Sequence, residues 1–403
     1  MTLKMSGGRW ARATRWLGVL AAAAALAACG GGGGSGAADG TLRVALTDAP
    51  SCGYDHVYVT IEKVSVHQSA TAGDQDGGWT DIVLAPARRV DLLDLTNGVL
   101  EELGTTPLPA GKYSQVRLVL ASNSGTGTAS FANAVHPTGG VEVPMSTPSA
   151  QQSGLKLQAH FEVAAGQMAD LVLDFDACRS VVKAGNSGKY NLKPVIAVVP
   201  RIVTGIQGYV TTTLALSSTT VSAQQDGATV RSTAPDATGK FSIPYLPSGT
   251  YTLVVSSEGH ATAVVTGVPA GTTTTVVNGT ATSIAPPVST MADVTGTVTV
   301  TGSSTLQLSD ISARGLQALT GGPTIELGNR PVDSTLGSYA FRLPVGAPVK
   351  APFVSSGTAL AFTPDTAAAG KYTIQVTAPG RAAQEKPAVI TTGSTTVNFD
   401  YGP

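Results

Sequence analysis

The sequence predicts an all-β protein built from several β-sandwich domains behind an export signal. Short segments in which apolar and polar residues alternate recur along most of the chain, as in half-buried strands. Charged residues make up 13% of the chain, against about 25% in typical soluble domains. Thr, Ser, Gly and Val are abundant instead, and glycine- and proline-containing turns separate the alternating segments.

The chain begins with the parts of an export signal. Basic residues precede the apolar stretch Leu17–Ala27, and these are Lys4, Arg9, Arg12 and Arg15. Leu26-Ala27-Ala28-Cys29 follows and resembles the lipobox of bacterial lipoproteins. This resemblance implies cleavage after Ala28, acylation of Cys29 (palmitate among the acyl chains) and a membrane anchor. The alternative is an ordinary secretory signal with a chance cysteine.

Residues 1–28 are therefore expected to form a signal peptide, and residues 29–40 the lipidated cysteine with a glycine-rich tether. Gly30 follows the cysteine, which by resemblance to Gram-negative lipoprotein sorting favours the outer membrane, on its periplasmic face or at the cell surface. Removing the signal lowers Lys+Arg from 25 to 21 against 26 Asp+Glu, so the net charge falls to −5. A mildly acidic chain lacks the basic surface of a nucleic-acid-binding protein.

Two cysteines remain after Cys29 is modified, namely Cys52 and Cys178. Because exported compartments are oxidising and the remaining number is even, a Cys52–Cys178 disulfide is predicted. Two buried thiols are the alternative. A metal site is disfavoured because neither cysteine has a CxxC partner or a nearby histidine.

The first domain is predicted over residues 41–200. Its clearest strands alternate within Leu42–Leu46, Val57–Val66, Val116–Leu120 and Leu171–Phe175. Val90–Leu103 is ambiguous, and a strand followed by a short helix around Val99–Leu103 fits its pattern.

Several motifs of this domain resemble, in order, an uncharacterised bacterial lipoprotein family, domain of unknown function 4382. The motifs are Thr47-Asp48-Ala49-Pro50, Tyr54–Thr60, Val90–Leu95, Leu108-Pro109-Ala110-Gly111-Lys112-Tyr113, Asp174-Phe175-Asp176 and Tyr190–Val195. The resemblance implies a fold and a place at the cell envelope, and it implies no activity.

The rest of the chain is interpreted as one β-module present twice, over residues 201–285 and 286–403. Four motifs recur, and their copies are Gly208-Tyr209-Val210 with Gly296-Thr297-Val298, Gly239-Lys240-Phe241 with Gly337-Ser338-Tyr339, Gly249–Leu253 with Gly370–Ile374, and Val277-Asn278 with Val397-Asn398. The growing offset indicates insertions in the second copy, one of them between Pro344 and Gly370. The first copy resembles a carboxypeptidase-regulatory or transthyretin-like sandwich, an immunoglobulin-like fold. The second copy is a diverged relative.

Asp174 and Asp176 are the candidate acid–base or metal-binding pair. Alternate residues of a strand share one face, so both carboxylates are expected opposite Leu171, Leu173 and Phe175. Such a pair is suited to acid–base chemistry or to a cation. The alternative is an exposed structural face paired with Arg117 or Lys193, which the absence of a visible nucleophile favours.

Trp79 is the candidate ligand-binding residue, because an indole beside Gly77-Gly78 suits sugar stacking. The alternative is a structural role, in which Trp79 precedes a strand over residues 80–84 and packs on the core. The five histidines stand at no metal-ligand spacing, and no nucleophile elbow, phosphate-binding loop or dinucleotide fingerprint occurs.

The sequence therefore favours a non-catalytic, lipid-anchored envelope protein for binding, adhesion or presentation, without a cofactor or a catalytic residue. Its expected partners are the membrane and a glycan or protein ligand, and not nucleic acid. The alternative is a carbohydrate- or peptide-processing enzyme or its accessory subunit.

Overall fold

The structure is a computed structural model that describes residues 39–48, 53–123, 131–147, 154–201, 204–302, 305–355, 359–391 and 393–402. The predicted signal peptide, Cys29 and most of the tether lie outside the described residues. The described chain is almost entirely β-structure within one compact unit, which confirms the predicted fold class. Its helices are short, namely α1 (Ala177–Ser180) and the 3₁₀ segments Leu92–Leu95, Gly185–Ser187, Leu216–Ser218, Thr280–Thr282, Leu308–Asp310 and Thr366–Ala368.

Module 1 is formed by the first twelve strands. They are β1 (Gly40–Asp48), β2 (Tyr54–His67), β3 (Thr80–Asp91), β4 (Glu101–Leu108), β5 (Gly111–Leu120), β6 (Ala134–Pro137), β7 (Val143–Ser146), β8 (Leu155–Val163), β9 (Met168–Phe175), β10 (Val181–Ala184), β11 (Lys189–Leu192) and β12 (Ile196–Pro200). One sheet has the order β12-β9-β1-β4 and the other the order β10-β11-β7-β6-β2-β5-β8, with β3 beside β2. Their apolar sides meet in one core that includes Leu42, Phe175, Val57 and Leu118.

The helix expected around Val99–Leu103 is wrong. Strand β4 starts at Glu101 and pairs antiparallel with β1, and the helical turn lies earlier, at Leu92–Leu95. Pairing with β1 buries Leu103 and Leu108 in the core, and this long-range contact outweighs a local helical pattern. The Asp91 carboxylate accepts the Leu93 N–H and caps the 3₁₀ turn.

Module 2 is a sandwich of a three-stranded and a four-stranded sheet. Its strands are β13 (Gly205–Tyr209), β14 (Thr219–Gln225), β15 (Ala228–Thr233), β16 (Lys240–Pro244), β17 (Gly249–Ser257), β18 (Ala263–Ala270) and β19 (Thr275–Val276). The sheets have the orders β16-β13-β19 and β15-β14-β17-β18. Phe241, Tyr251 and Leu253 lie in the core between them.

Module 3 repeats this arrangement and adds strands. Its strands are β20 (Met291–Val300), β21 (Ser312–Ala318), β22 (Thr324–Pro331), β23 (Ser338–Pro344), β24 (Val349–Pro352), β25 (Thr363–Pro364), β26 (Lys371–Thr377), β27 (Gln384–Val389), β28 (Thr395–Thr396) and β29 (Phe399–Tyr401). Its sheets have the orders β23-β20-β28 and β22-β21-β26-β27, and Phe341 and Ile374 lie between them. β24 leaves the module and pairs in parallel with β18, so it extends a sheet of module 2.

Polar contacts join every pair of modules. The Asn97 N–H donates to Thr233 Oγ1 (2.7 Å) between modules 1 and 2. The Gly185 N–H donates to both carboxylate oxygens of Asp333 (2.9 and 2.8 Å) between modules 1 and 3. Gln224 binds both the N–H and the carbonyl of Glu326 between modules 2 and 3. These contacts fix the surfaces that face one another at the centre of the molecule.

Candidate functional site: a cleft where three modules meet

A cleft of about 850 Å³ lies at the junction of the three modules. Module 1 contributes α1 and parts of β9, β10 and β12, module 2 contributes β14, β15 and β17, and module 3 contributes β20, β22 and β23. The volume of the cleft falls within the size range of small-molecule sites, which commonly lie between domains. We call it the central cleft.

Asp174 lies on one wall of the central cleft, where it pairs with Arg231 of module 2. Asp174 Oδ1 lies 3.0 Å from Arg231 Nη2, and the two side chains are 16% and 7% exposed. Burial raises the pKa of Asp174, and Arg231 partly opposes this change. Because both charges are withdrawn from water, removing either partner would leave an uncompensated buried charge.

Asp176 caps the helix that borders the cleft. Its Oδ1 accepts the Arg179 N–H (3.0 Å) at the start of α1, and its Oδ2 lies 3.9 Å from Arg179 Nη1. Burial in the cleft raises the pKa of Asp176 to about 6, against the favourable charge of Arg179. Neighbouring Asp174 and Glu326 add a smaller upward effect. Asp48 of the Thr47–Pro50 motif helps to hold α1, because its carboxylate accepts the Ala177 N–H (3.0 Å).

Two further carboxylates of the cleft are occupied by protein donors. Glu326 Oε2 accepts Arg314 Nε at 2.5 Å, and the Glu326 side chain is 7% exposed. Asp333 accepts N–H groups from Gly185, Thr335 and Leu336. Each of these acidic side chains is thus committed to an intramolecular contact.

Two cationic side chains of the cleft have no carboxylate partner in the described part of the chain. Within the part of the chain that the structure describes, Arg330 and Lys183 line the cleft without a carboxylate at ion-pair distance. Arg330 lies over the Phe341 ring (4.9 Å) and near Tyr54, and the surrounding protein lowers the pKa of its guanidinium. Arg231 Nη1 and Asn329 Oδ1 are buried without a hydrogen-bond partner. Burying such groups unpaired is unfavourable, so they are the atoms that a ligand would best satisfy.

The structure corrects the interpretation of Asp174 and Asp176 as an exposed face. Leu171, Leu173 and Phe175 do lie in the module 1 core, as alternation predicts. The opposite face of β9, however, is covered by module 2, so Asp174 is buried and its partner is Arg231. Arg117 instead pairs with Asp74 (2.5 Å), and Lys193 contacts Ser309 and Asp310 of module 3.

Trp79 lies away from the cleft, in the polar loop before β3. Its Nε1 donates to the Gly73 carbonyl (2.9 Å), and the Arg117 guanidinium covers the ring at 4.1 Å from its centroid. His67 packs beside it with ring centroids 4.9 Å apart. These contacts favour the structural alternative for Trp79.

Cys178 lies in α1 beside the central cleft, whereas Cys52 falls outside the described residues. The Cys52–Cys178 pairing therefore stays a prediction. Over the described ranges, no cluster of three His, Cys, Asp or Glu side chains is arranged to hold a metal ion. Over the same ranges, no helix has both the length and the apolar composition to cross a bilayer.

Sequence reasoning missed Arg231 and Arg330. Each is an arginine inside a strand of an otherwise sparsely charged chain, and this rarity was the available signal. Their meeting with Asp174 and Tyr54 depends on how whole modules pack, which no local pattern encodes.

The fold and the cleft define a β-sandwich protein of several modules with a candidate site at their junction. Residues 39–194 match the family model of domain of unknown function DUF4382, and residues 205–283 match the carboxypeptidase regulatory-like domain. Both resemblances predicted from sequence are confirmed, in the predicted order. The comparison with curated proteins found no match.

Three solved structures show a weak similarity to this chain, and two of them are pilins. The Bacillus anthracis TIE protein is 14% identical over 91% of this chain and 51% of that one, with a TM-score of 0.18. A minor pilin of Streptococcus agalactiae is 10% identical over 50% of this chain and 84% of that one (TM-score 0.16). A streptococcal ancillary pilin is 11% identical over 91% and 99% (TM-score 0.15). The chain spans about half the length of the B. anthracis protein.

Proposed function

We propose that this protein is a non-catalytic lipoprotein of the bacterial cell envelope that binds its ligand in the central cleft. The observation that carries the proposal is the cleft itself, with its unmatched cations and its unpartnered buried polar atoms at the junction of three modules. Its carboxylates hold α1, Arg231 and Arg314 in place, so they serve the frame of the site. The lipobox ending at Cys29 supports attachment to the membrane, with the outer membrane as the proposed location.

A substitution that obstructs the cleft tests whether the ligand binds there. The full chain is screened against glycan and peptide arrays, and each ligand found is tested again on Thr295→Trp. Thr295 is an exposed residue of β20 that lines the cleft, so an indole there should obstruct the cleft and weaken binding strongly. Thr299→Trp is the matched control, because Thr299 is exposed on the same face of the same strand outside the cleft lining. Equal binding by both variants would exclude the cleft as the binding site.

Membrane attachment is tested separately by mass spectrometry of the mature protein. The N-terminal peptide should begin at Cys29 and carry acyl mass, and Cys29→Ser should release the chain from membranes. Non-reducing peptide mapping of the same sample should find Cys52 linked to Cys178. An unmodified Cys29 peptide, or two freely alkylatable thiols, would contradict the respective proposal.

A hydrolase is the second candidate, favoured by one observation. Asp176, with a pKa raised to about 6, lies in a cleft close to Asp174, as a general acid of a carboxylate pair would. Asp176→Asn separates the two functions, because asparagine is also a good helix N-cap. A hydrolase would lose turnover of the ligand found in the array, whereas a binding protein would keep its affinity and show no turnover in either form.

The same variant has a defined effect on stability. The pKa of Asp176 in the folded chain, about 6, lies above its ordinary 3.8, so the folded state holds this proton more tightly than the unfolded state. Its contribution to the free energy of unfolding should therefore fall as the pH rises from about 4 to about 6. Urea titrations across that range should show this fall in the native chain and its loss in Asp176→Asn. Parallel pH curves for the two proteins would contradict the assignment.

A further inference from the structure

We infer that the ligand of the central cleft is an acidic saccharide, whose anionic group binds Arg330 and whose hydroxyls bind the short polar side chains around it. This inference rests on the proposed function, and it names the chemical class of the ligand. Charge, lining chemistry and shape of the walls each contribute to it.

The lining has four acidic and four basic side chains, but its carboxylates are already bound by protein donors, so the groups left for a ligand are cationic. Arg179 and Arg231 face Asp176 and Asp174, and Glu326 and Asp333 are held by Arg314 and by backbone N–H groups. Lys183 and Arg330 are left without a carboxylate among the described residues. An oxyanion on the ligand would pair with the planar Arg330 guanidinium through two parallel N–H···O bonds. The inference therefore places negative charge at the Arg330 end.

The remaining lining is suited to hydroxyl groups. Short hydroxyl and amide side chains surround the cleft, and they come from all three modules: Asn186, Ser222, Ser256, Thr297, Asn329 and Asn398. These groups both donate and accept hydrogen bonds, as sugar hydroxyls do. The unpartnered Asn329 Oδ1 would accept a hydroxyl, and the free Arg231 Nη1 would donate to one. A hydroxyl-rich anion matches this set better than a simple inorganic anion.

An extended peptide fits the walls less well. A peptide bound as an added strand needs a free strand edge and apolar pockets for alternate side chains. Edge strands that line the cleft include β12, β15 and β22, and β22 packs against both α1 and β15 across the junction. Among the described lining residues, the large apolar side chains with substantial exposure are Val230 and Leu336. A saccharide requires neither feature.

Isothermal titration calorimetry on the full chain tests the inference with four probes. The probes are an oligogalacturonate, its methyl-esterified neutral form, a sulfated neutral oligosaccharide of similar length, and an alternating valine–threonine peptide. The oligogalacturonate or the sulfated sugar should bind, and comparing the two shows whether the anion is a carboxylate or a sulfate. The esterified form should bind about tenfold or more weakly, since a hydrogen bond to a charged group contributes roughly 1.5–3 kcal/mol.

Arg330→Gln should reduce affinity for the anionic sugar by about ten- to a hundredfold and leave the weak binding of the esterified form unchanged. Arg381→Gln, in an exposed turn outside the cleft, is the matched control and should bind as the native chain does. Circular dichroism melting of both variants establishes that they are folded.

Equal binding of neutral and acidic sugars, or an Arg330→Gln variant with native affinity, would overturn the inference. Binding of the peptide alone, blocked by Thr295→Trp, would also overturn it while leaving the proposed function intact. Absence of any ligand that Thr295→Trp blocks would overturn both.

Discussion

Modules 2 and 3 use one hydrogen-bonded framework, and they differ in what is inserted into it. The sheets β16-β13-β19 and β15-β14-β17-β18 of module 2 correspond strand for strand to β23-β20-β28 and β22-β21-β26-β27 of module 3. Gly208 lies opposite Phe241, and Gly296 lies opposite Tyr339. Residues that look like scattered repeats in the sequence are therefore equivalent positions in two copies of one sandwich.

The equivalence extends to individual hydrogen bonds. Asn278 Oδ1 accepts the Tyr209 N–H (2.6 Å), and Asn398 Oδ1 accepts the Thr297 N–H (2.9 Å). Each asparagine thus continues the pairing where the parallel strand of its sheet has ended. Such contacts constrain residue type strongly, which explains why these motifs persist although the two copies have diverged elsewhere.

The insertion in module 3 accounts for the main difference. It follows Pro344 and carries β24, whose residues Val349–Pro352 pair with Ala263–Thr266 of β18. Leu319 and Ile325 of module 3 also form a small apolar cluster with Val254 and Val264 of module 2. The added segment therefore joins the two copies, because one strand of module 3 pairs with the sheet of module 2.

Removing a core ring from module 2 should have the largest effect. Phe241 is fully buried, and Phe241→Ala should lower the free energy of unfolding by about 3–5 kcal/mol. Because β24 connects the sheets, hydrogen exchange should quicken in both modules. Urea unfolding followed by circular dichroism gives the energy, and exchange mass spectrometry gives the location.

Val276→Ala is the control for Phe241→Ala. Val276 lies in β19 of the same module and is 51% exposed, so its truncation should change stability by less than about 0.5 kcal/mol. Faster exchange confined to module 2 in Phe241→Ala would show that the shared strand does not couple the copies.

Much of this comparison could be predicted from the sequence. Alternation identified the principal strands, and the repeated Gly, aromatic and Asn positions identified the duplicated module and its insertion before Gly370. These signals are local, because side-chain alternation and turn residues are encoded within a few positions. The strand β4 was missed because its pairing with β1 is a long-range contact.

The site could not be predicted in the same way. Asp174 was recognised as a candidate, but its burial and its partner depend on module 2 covering the outer face of β9. The motif Leu-Pro-x-Gly-x-Tyr of module 2 also occurs in module 1, and this match was overlooked. Leu108–Tyr113 in module 1 matches Leu246–Tyr251 in module 2, and in both the tyrosine hydroxyl donates to the proline carbonyl four residues earlier (2.9 and 2.7 Å).

The repeated turn glycines should show a smaller effect that is equal in the two copies. Gly239 and Gly337 have φ of +79° and +64°, and a Cβ at either would lie 2.2 or 2.1 Å from the carbonyl oxygen of Val210 or Val298. Gly239→Ala and Gly337→Ala should each lower the free energy of unfolding by about 1–3 kcal/mol, through the left-handed backbone and this close approach. Gly271→Ala, where the added Cβ meets open space, should be nearly neutral. Unequal losses at the two turns would break the equivalence of the copies.

The smallest expected change in stability comes from the tyrosines whose hydroxyls bind a proline carbonyl in modules 2 and 3. Tyr251 donates to Pro247, four residues away, whereas Tyr372 donates to Pro344 (2.5 Å) across 28 residues that include the insertion. Tyr251→Phe and Tyr372→Phe should each lower the free energy of unfolding by about 0.5–1.5 kcal/mol, because a proline carbonyl loses its donor, and the Pro344 carbonyl is buried. Only Tyr372→Phe should also quicken hydrogen exchange in β24, since its hydroxyl ties the base of the inserted segment to β26. Tyr113→Phe is the matched control, because it removes the short-range version of the bond in module 1, far from the insertion. If β24 exchanges equally fast in all three variants, the hydroxyl of Tyr372 does not stabilise the inserted segment. The pairing of β24 with β18 would then be what holds the insertion in place.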